Sequence, residues 1–450
     1  MGANSYFRNK KVTVMGLGLL GGVGDIKFLA ESGADIIATD LKGEAELAPS
    51  LVVLKDFSNI RYTLGRHELA DFRGRDLVIK APGTPLDSPY VAEAHKHGTP
   101  VTMWAALFAR FAGEMGALVV GITGTRGKTT VTAMVSVVLR TAGKKVIEGG
   151  NVQGTSLLPH LPELTRDTTV VLELDSWKLQ GFGEAKISPN IGLFTTFYAD
   201  HLNYYKGDPS APLRTGMDAY LADKANIFLN QTEKDTLILG TQVEAIIKEK
   251  YGDQIKGKLL VASGLSSEWH LQIPGEHNRY NAALALAVAR ELHISDEISK
   301  KALEAFKGVP GRLEFLREVR GVKIYNDTTS TTPESTIAAL EALGPAQTIV
   351  IAGGTDKNLP LEGLAGKLKE AKGVVLLAGS GTARVVSSLQ EAGGSRIYGP
   401  YEVLAPAVTK ALELVEPGDT ILFSPAFTSF EMFKNEYDRG EQFNAVVQKL

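Results

Sequence analysis

The fold is decided by Leu118-Val-Val-Gly-Ile-Thr-Gly-Thr-Arg-Gly-Lys-Thr-Thr130, which is followed by Val131-Thr-Ala-Met-Val-Ser-Val-Val-Leu-Arg140. The short apolar run at its start predicts a buried strand, and the apolar spacing after Lys128 predicts a helix. Between them, Gly127-Lys-Thr129 ends a glycine-rich turn. Free backbone N–H groups at the start of a helix, together with the helix dipole, attract anions. The stretch therefore predicts a phosphate-binding site.

This turn departs from the strict phosphate-loop pattern G-x-x-x-x-G-K-[ST], because Ile122 stands where the first glycine should be. Gly-Lys-Thr alone is a common tripeptide, so the alternative is a turn that only joins a strand to a helix. We favour phosphate binding because both flanking elements are present. In that interpretation Lys128 contacts the β- and γ-phosphates, and the Thr129 hydroxyl binds Mg²⁺.

The composition limits the classes of protein to which the chain can belong. At 450 residues it is long enough for about three domains. Its 48 basic and 51 acidic side chains give a net charge of −3, which offers no electrostatic footprint for nucleic acid or an anionic membrane. With no cysteine there is neither a disulfide nor a thiolate metal site. The sequence has no signal-peptide pattern, and no apolar run approaches the ~20 residues of a membrane span. We therefore expect a soluble cytoplasmic protein.

The first domain, predicted over residues 1–116, contains a second glycine motif. Gly16-Leu-Gly-Leu-Leu-Gly21 follows the probable strand Val12–Met15, and Asp40 ends the next strand. This order matches the dinucleotide fingerprint, in which an acidic residue lies ~20 residues beyond the glycines. A nucleotide diphosphate is the favoured ligand, although glycines do not identify the nucleotide. The alternative is a tight turn without a ligand.

In the second domain, predicted over residues 117–309, polar side chains follow two apolar strands. Glu173 lies near the carboxyl end of the predicted strand Thr168–Leu174, and Asp200-His201 follow the other strand, at the edge where open α/β sheets bind ligands. A carboxylate there can hold the Mg²⁺ that bridges nucleotide phosphates. The alternatives are a salt-bridged glutamate and a structural histidine. Lys224, in the middle of a predicted helix, carries no signal of its own, because most such lysines extend to solvent.

The third domain is predicted over residues 310–450. Apolar strands alternate there with helical stretches, which indicates a further α/β unit. The predicted fold class is thus α/β with three domains: a Rossmann-like N-terminal domain, a central P-loop ATPase-type mononucleotide-binding domain and a C-terminal Rossmann-like domain. Before the hinge-like Val309-Pro-Gly-Arg312, Asn278 or Asn281 could simply cap the helix that follows Pro274.

Several separated motifs resemble those of the Mur ligases, a family of ATP-dependent enzymes that form amide bonds. They appear in the family's usual order and span essentially the whole chain: Thr123–Thr129, Glu173 in Leu172-Glu-Leu-Asp-Ser-Trp177, Asp200-His201, Gly275-Glu-His-Asn-Arg-Tyr-Asn-Ala-Ala283, Pro310-Gly-Arg312, Tyr325-Asn-Asp327, and Ser424 to Gly440. The chain most resembles the branch that adds D-glutamate to UDP-N-acetylmuramoyl-L-alanine. The resemblance implies an ADP-forming ligase that acts through an acyl phosphate in peptidoglycan precursor synthesis.

The resemblance also implies the residues that bind ATP and two Mg²⁺ ions. ATP would contact Gly124, Thr125, Arg126, Gly127, Lys128, Thr129, Thr130, Asn278, Arg312 and Asp327. The metal ligands would be Thr129, Glu173, His201 and Lys224, and the catalytic residues Lys128, Glu173, His201 and Lys224. Lys224 would act in carbamylated form, because a carbamate converts an ammonium into an oxygen ligand of the kind that Mg²⁺ accepts.

The substrates are assigned in the same way. The UDP-linked substrate would contact Gly18, Leu19, Leu20, Asp40, Lys42, Gly83 and Asn151, and D-glutamate would contact Thr331, Lys357 and Ser429. No nucleic-acid or membrane partner is implied, and we expect a monomer.

Four positions depart from the family's usual motifs. Arg126 stands where asparagine is usual, Ala199 where glutamate is frequent, Thr329 where the D-glutamate branch has lysine, and Glu436 where it has an aromatic residue. The last two fall near the expected amino-acid pocket, so an amide ligase with another amino acid, either a Mur ligase or a folylpolyglutamate synthase-like enzyme, stays an alternative. Two other classes also stay open, a nicotinamide-dependent dehydrogenase and a nucleotide-switched binding protein.

Overall fold

The computed structural model describes residues 3–18, 22–150, 156–200, 204–205, 216–391, 393 and 396–450. These residues form two compact units. The first comprises Met1–Gly264 and Asn281–Ala302, and the second comprises Leu265–Tyr280 and Leu303–Leu450. Within the described residues the strands belong to three sheets, two in the first unit and one in the second.

The first sheet is parallel throughout. Its strands are β1 Lys11–Met15, β2 Asp35–Asp40, β3 Ile60–Leu64, β4 Leu77–Ile79 and β5 Val101–Thr102, in the order β3-β2-β1-β4-β5. Its helices are α1 Ala3–Phe7, α2 Gly22–Glu31, α3 Glu44–Leu54, α4 Pro89–Lys96 and α5 Trp104–Glu114. The chain order reverses between β1 and β4, so the crevice at the carboxyl ends of these two strands is the expected place for a ligand.

The second sheet is also parallel. Its strands are β6 Leu118–Thr123, β7 Lys145–Gly150, β8 Thr168–Glu173, β9 Ile191–Phe194, β10 Thr236–Leu239 and β11 Lys258–Val261, in the order β11-β10-β9-β6-β8-β7. The helices that follow are α6 Lys128–Thr141, α7 Ser176–Glu184, α8 Gly216–Ala225, α9 Thr241–Tyr251, α10 Glu276–Glu291 and α11 Asp296–Glu304. Here the order reverses at β6, whose carboxyl end carries the phosphate loop.

The sheet of the second unit is mixed. Its strands are β12 Glu314–Val319, β13 Val322–Asn326, β14 Thr348–Ala352, β15 Gly373–Leu377, β16 Ile397–Tyr401 and β17 Thr420–Phe423, in the order β12-β13-β17-β14-β15-β16. The pair β12–β13 is antiparallel and the other pairs are parallel. Its helices are α12 Pro333–Leu343, α13 Glu362–Glu370, α14 Ser380–Glu391, α15 Leu404–Leu414 and α16 Glu436–Val447.

The two sheets of the first unit share one hydrophobic core. Ile26 of α2 and Phe108 of α5 belong to the same buried cluster as Leu158 and Leu172 from the second sheet's part of the chain. Burying apolar side chains in a common core stabilises the packing of the two sheets.

Asp25 of α2 is a buried carboxyl group at the junction between these two sheets. Its Oδ1 accepts a hydrogen bond from the Leu158 N–H at 2.7 Å, at the start of a 3-10 helix. A Cβ on Gly24 would lie 2.1 Å from the Ser156 Oγ, so α2 lies directly against this segment. Burial raises the pKa of Asp25 to about 7, and the N–H groups of Leu158 and Leu157 offset only part of that rise.

We expect Asp25→Asn to reduce the pH dependence of stability. The pKa of Asp25 is about 7 in the folded state and 3.8 for a free aspartate, so its contribution is full below pH 3.8 and is lost as the pH rises through 7. Between pH 5 and pH 8 the native protein should lose about 2–4 kcal/mol of stability through this group, and the variant should not. Thermal unfolding at both pH values measures the effect, with Asp167→Asn in an exposed turn as the control. Equal pH dependence in all three proteins would contradict the assignment.

Candidate active site

The phosphate loop has the predicted strand, turn and helix. β6 ends at Thr123, and α6 begins at Lys128 with Gly127 as its N-terminal cap at φ +83°. Gly124 also has a positive φ, +142°, which disfavours any side chain. A Cβ on Gly127 would lie 2.5 Å from the Asn281 Oδ1. Glycine is therefore favoured at both positions, most strongly at Gly124, where a Cβ would also lie 2.9 Å from the Thr196 backbone nitrogen.

Two threonines after β9 fix the conformation of this loop. The Thr125 N–H donates to the Thr196 carbonyl at 2.7 Å, and the Arg126 N–H donates to the Thr196 Oγ1 at 2.9 Å. The Thr195 hydroxyl donates to the Arg126 carbonyl at 2.5 Å. Because β9 pairs with β6, these threonines reach the loop from the adjacent strand. The sequence analysis assigned no role to them.

Two lysines approach the loop from different helices. The Lys128 Nζ donates to the Thr125 carbonyl at 3.2 Å, and the Lys224 Nζ of α8 donates to the Gly124 carbonyl at 2.8 Å. The expectation from spacing alone, that Lys224 extends to solvent, is wrong, because only 1% of its surface is exposed. It lies 4.7 Å from the centre of the Tyr220 ring.

The charge state of Lys224 follows from this environment. Burial, and then the neighbouring Lys128 ammonium, hold the pKa of Lys224 well below its usual range. The carboxylates of Asp175, Asp200 and Asp223 oppose this shift only in part.

Carboxylates lie at the same edge of the sheet. Glu173 is buried at the end of β8, in register with Ile122 of β6. Asp175 caps α7 and accepts hydrogen bonds from the Lys178 N–H at 2.8 Å and the Lys178 Nζ at 2.7 Å. Burial alone raises the pKa of Asp175, but Lys178, with a smaller contribution from Lys128, brings it below its usual value. Asp200 pairs with Arg126 at 3.8 Å.

The donors at this edge suit Mg²⁺. In the described part of the chain, no cluster of three or more histidine, aspartate or glutamate side chains could hold a metal alone. The Thr129 hydroxyl on the first turn of α6 and the buried Glu173 carboxylate are hard oxygen ligands, of the kind that bind Mg²⁺ together with phosphate oxygens. The predicted ligand His201 lies outside the described residues.

The first sheet brings together the part of the predicted UDP site that the structure describes. The Asp40 Oδ2 accepts the Leu17 N–H at 2.8 Å, and its Oδ1 accepts the Lys42 N–H at 2.9 Å, so Asp40 shapes the glycine turn itself. Gly18 and the turn containing Gly83 follow β1 and β4, on the two sides of the crevice. Leu19, Leu20 and Asn151 lie outside the described residues.

The second unit holds the rest of the predicted nucleotide site. Asp327 is buried after β13, where its Oδ1 accepts the Leu313 N–H at 2.9 Å. Its Oδ2 accepts hydrogen bonds from Ser330 at 2.5 Å and Ser424 at 2.8 Å. Burial raises the pKa of Asp327 to about 6, whereas these bonds and the charge of Arg312 lower it.

The asparagines do not cap α10 as the simpler interpretation proposed. The helix begins at Glu276, so Asn278 and Asn281 both lie within it. The Asn278 side chain donates to the Pro274 carbonyl at 2.8 Å.

The amino-acid residues predicted for the second unit lie on neighbouring loops. The Lys357 Nζ donates to the Thr331 Oγ1 at 3.4 Å, and Ser429 is buried on the segment after β17. Arg439, which the sequence analysis did not assign, is fully buried and ties two of these loops together. It donates to the Thr328 carbonyl at 2.6 Å and to the Phe427 carbonyl at 3.0 Å.

The chain matches three family models in succession. They are the N-terminal domain of the "Mur ligase MurD-like" type over residues 10–103, the "Mur ligase middle domain" over 122–259 and the "Mur ligase, glutamate ligase domain" over 311–427. The UDP-N-acetylmuramoylalanine–D-glutamate ligase of Roseiflexus sp. is 34% identical over 98% of this chain and 99% of its own length. The chain belongs to the Mur ligase family.

Further matches support membership of the Mur ligase family. The enzyme of the same name from Borreliella afzelii is also 34% identical, over 98% of both chains. Among solved structures, UDP-N-acetylmuramate–alanine ligase from Thermotoga maritima matches with a TM-score of 0.62 and 19% identity, over 98% of this chain and 100% of that one. The predictions of the family, of three α/β domains and of a ligase are confirmed. The dehydrogenase and binding-protein alternatives are therefore set aside.

Folylpolyglutamate synthase from Mycobacterium tuberculosis shares the fold over a smaller part of this Mur ligase. It matches with a TM-score of 0.53 and 14% identity, over 72% of this chain and 93% of that one.

In the described part of the chain, no helix combines the length and the apolar character needed to cross a membrane.

We expect Gly127→Ala to impair the phosphate loop. The positive φ and the contact with Asn281 should together lower stability by about 1–3 kcal/mol and weaken ATP binding by at least about tenfold. Unfolding curves and nucleotide titrations measure the two effects. Gly113→Ala is the matched control, because Gly113 lies inside α5 with open space around its Cβ position. Nucleotide affinity equal to that of the native protein would contradict the requirement for glycine.

Proposed function

We propose that this Mur ligase uses ATP, which it converts to ADP and inorganic phosphate, to add D-glutamate to UDP-N-acetylmuramoyl-L-alanine, a step of peptidoglycan precursor synthesis in the cytoplasm. Relatives that carry the name of this D-glutamate ligase match the chain over almost its full length. The observation that supports the chemistry most directly is the phosphate loop, where Lys128, Lys224 and Glu173 meet at one edge of the second sheet.

The reaction needs two steps because a carboxylate is a poor electrophile. In the first, an oxygen of the alanyl carboxylate attacks the γ-phosphorus of ATP, and the bond to the β-phosphate oxygen breaks to release ADP. In the second, the amine of D-glutamate attacks the acyl phosphate, loses a proton, and displaces inorganic phosphate from the tetrahedral intermediate. Closure of the site against water would protect the acyl phosphate.

The residues of the first unit would stabilise the first step. The N–H groups at the start of α6 and the Lys128 ammonium would bind the phosphates and neutralise the charge that develops on the transferred group. Mg²⁺ held by Thr129, Glu173, His201 and Lys224 would supply further charge neutralisation. From the second unit, Asn278, Arg312 and Asp327 would contribute the remaining contacts with ATP.

Carbamylation of Lys224 is supported by its burial. A carbamate forms when the neutral amine attacks CO₂ and loses a proton, and burial beside Lys128 favours the neutral amine. The product is an anionic oxygen ligand in place of a cation that would repel Mg²⁺.

In the second unit, Lys357, Thr331 and Ser429 would hold D-glutamate. A cation at Lys357 suits an amino acid with a second carboxylate. Thr329 uses its hydroxyl to bind the Gly311 carbonyl at 2.9 Å, and the Glu436 carbonyl accepts the Thr328 hydroxyl at 2.8 Å. The Thr329 side chain thus fixes the backbone of this region, whereas the Glu436 contact uses only the main chain. A Mur ligase specific for another amino acid is the second candidate. The monomeric state stays a prediction.

Lys128→Ala should abolish turnover. We expect UDP-N-acetylmuramoyl-L-alanine and D-glutamate together to stimulate ADP release by the native enzyme, and the variant to lose at least about 100-fold in kcat. Lys144→Ala removes an exposed lysine beyond the other end of α6 and should behave like the native enzyme. A screen of D-glutamate, L-glutamate, L-lysine and meso-diaminopimelate decides between the two candidates. No ADP with any of them would overturn the proposed function.

Lys224→Ala should remove a carbamate signal. The native protein equilibrated with ¹³C-labelled bicarbonate should show one protected carbamate carbon in its NMR spectrum, and the Lys144→Ala control should keep it. The variant should lose both the signal and activity, and short-chain carboxylates should restore part of the activity by replacing the missing oxygen ligand. A native spectrum without the signal would contradict the carbamate.

A further inference from the structure

Lys80 is a buried lysine in the first sheet, directly after β4. Only 1% of its surface is exposed, and its Nζ donates a hydrogen bond to the Thr84 carbonyl at 2.9 Å. Its own N–H is bonded to the Thr102 carbonyl of β5 at 2.9 Å. The side chain therefore spans the turn that contains Gly83 and fixes the position of Thr84.

This turn forms one wall of the crevice where the order of the first sheet reverses. A Cβ on Gly16, which follows β1, would lie 3.2 Å from the Ala81 Cβ. The turns after β1 and β4 are thus in contact, and a shift of one must move the other. Because both turns belong to the proposed site for the sugar nucleotide, the Lys80 hydrogen bond bears on the shape of that site.

The charges that face Lys80 come from the second sheet's helices. Asp223 of α8 acts on it most strongly, followed by Glu184 and Asp175 of the α7 region. Burial lowers the pKa of Lys80 to about 8, and these three carboxylates resist that shift. Among the described residues, the Thr84 carbonyl is the hydrogen-bond partner of the ammonium.

Asp223 is itself held firmly. Its Oδ2 accepts hydrogen bonds from the Gln180 side chain at 2.8 Å and the Tyr205 hydroxyl at 2.9 Å. A Cβ on Gly181 would lie 2.9 Å from the Met103 side chain, so α7 is packed tightly against the segment after β5. The next residue after Asp223 is Lys224, which binds the phosphate loop.

We propose that Lys80 is a positioning residue that aligns the Gly83 turn with α8, and so the sugar nucleotide with Lys224. The hydrogen bond to Thr84 sets one side of this alignment. The other side runs through the Thr102 carbonyl, the packing of Met103 against Gly181, and the hydrogen bond from Gln180 to Asp223. The proposal rests on the proposed function, since it assumes that the crevice binds the nucleotide end of the acid substrate.

The test is Lys80→Met, which removes the charge and keeps the length of the side chain. We expect KM for UDP-N-acetylmuramoyl-L-alanine to rise about tenfold, with kcat and KM for ATP changed less than about threefold. The melting temperature should not fall, because an apolar side chain replaces a buried charge. Lys27→Met, an exposed lysine of α2, is the matched control and should leave all three constants unchanged.

Asp223→Asn is the second variant, because it removes the opposite charge and keeps a hydrogen-bond acceptor. Its KM for the sugar nucleotide should also rise, and the double variant should resemble Lys80→Met rather than show the product of both effects. An unchanged nucleotide KM in a folded Lys80→Met overturns the proposal, as does a lower melting temperature with both KM values raised. If Lys80→Met is insoluble, an unchanged nucleotide KM in Asp223→Asn overturns it instead.

Titration calorimetry with the sugar nucleotide alone separates this proposal from the proposed function. If the native protein binds the nucleotide but makes no ADP, the proposed function fails and the Lys80 comparison still stands. If the native protein is active and Lys80→Met binds the nucleotide with native affinity, the inference about Lys80 fails.

Discussion

The site of the first unit depends on hydrogen bonds between the phosphate loop and the strand beside it. A glycine-rich loop has many conformations open to it, and holding it in one of them costs conformational entropy. Thr195 and Thr196 select that conformation by bonding both the N–H and the carbonyl of Arg126. The Lys224 bond to Gly124 then fixes the start of the loop from α8. The conformation of the loop is therefore fixed by its own sheet, and a fixed loop is what the proposed phosphate site requires.

Burial of charge is the second constraint on this unit. Lys80 and Lys224 are both almost inaccessible to solvent, and Asp25 is buried at the junction of the two sheets. Each buried charge lowers stability unless neighbours compensate it. Backbone N–H groups compensate Asp25, and a carbonyl and three carboxylates compensate Lys80. Lys224 reduces the cost in another way, because its burial favours the neutral amine. Such groups are common where proteins align reacting atoms, because function needs them there despite their cost.

The sequence predicts the inner strands of the sheets better than the outer ones. β8 and β14 are buried along their whole length, and their continuous apolar runs are readily recognised. Most strands that were not predicted are edge strands, where one side faces solvent and polar residues interrupt the pattern: β3, β7, β11, β12 and β16. β10 is the exception, since it is an inner strand that is buried along its whole length and was not predicted.

In the candidate site, too, some residues are predictable from the sequence and others are not. Lys128, Thr129 and Glu173 lie next to recognisable strand ends, so spacing and residue type are sufficient to suggest them. Asp223 is bonded to Gln180 of another helix, and Arg439 is bonded to Thr328 in a distant part of the chain, and no local pattern signals such contacts. The burial of Lys80 likewise follows from how the two sheets pack and not from its neighbours in sequence. For Lys224, the apolar spacing of the helix does not predict burial, because a lysine among apolar residues can either extend to solvent or be buried.

Arg439 restricts how this chain can evolve. Its planar guanidinium reaches the carbonyls of two separate loops and the Thr328 hydroxyl at the same time. Lysine has a single compact ammonium that cannot span these acceptors. An Arg439→Lys substitution, although usually regarded as conservative, would therefore lose some of these contacts. Substitutions in the proposed amino-acid pocket are therefore expected in the other side chains of the two loops, while Arg439 itself stays unchanged.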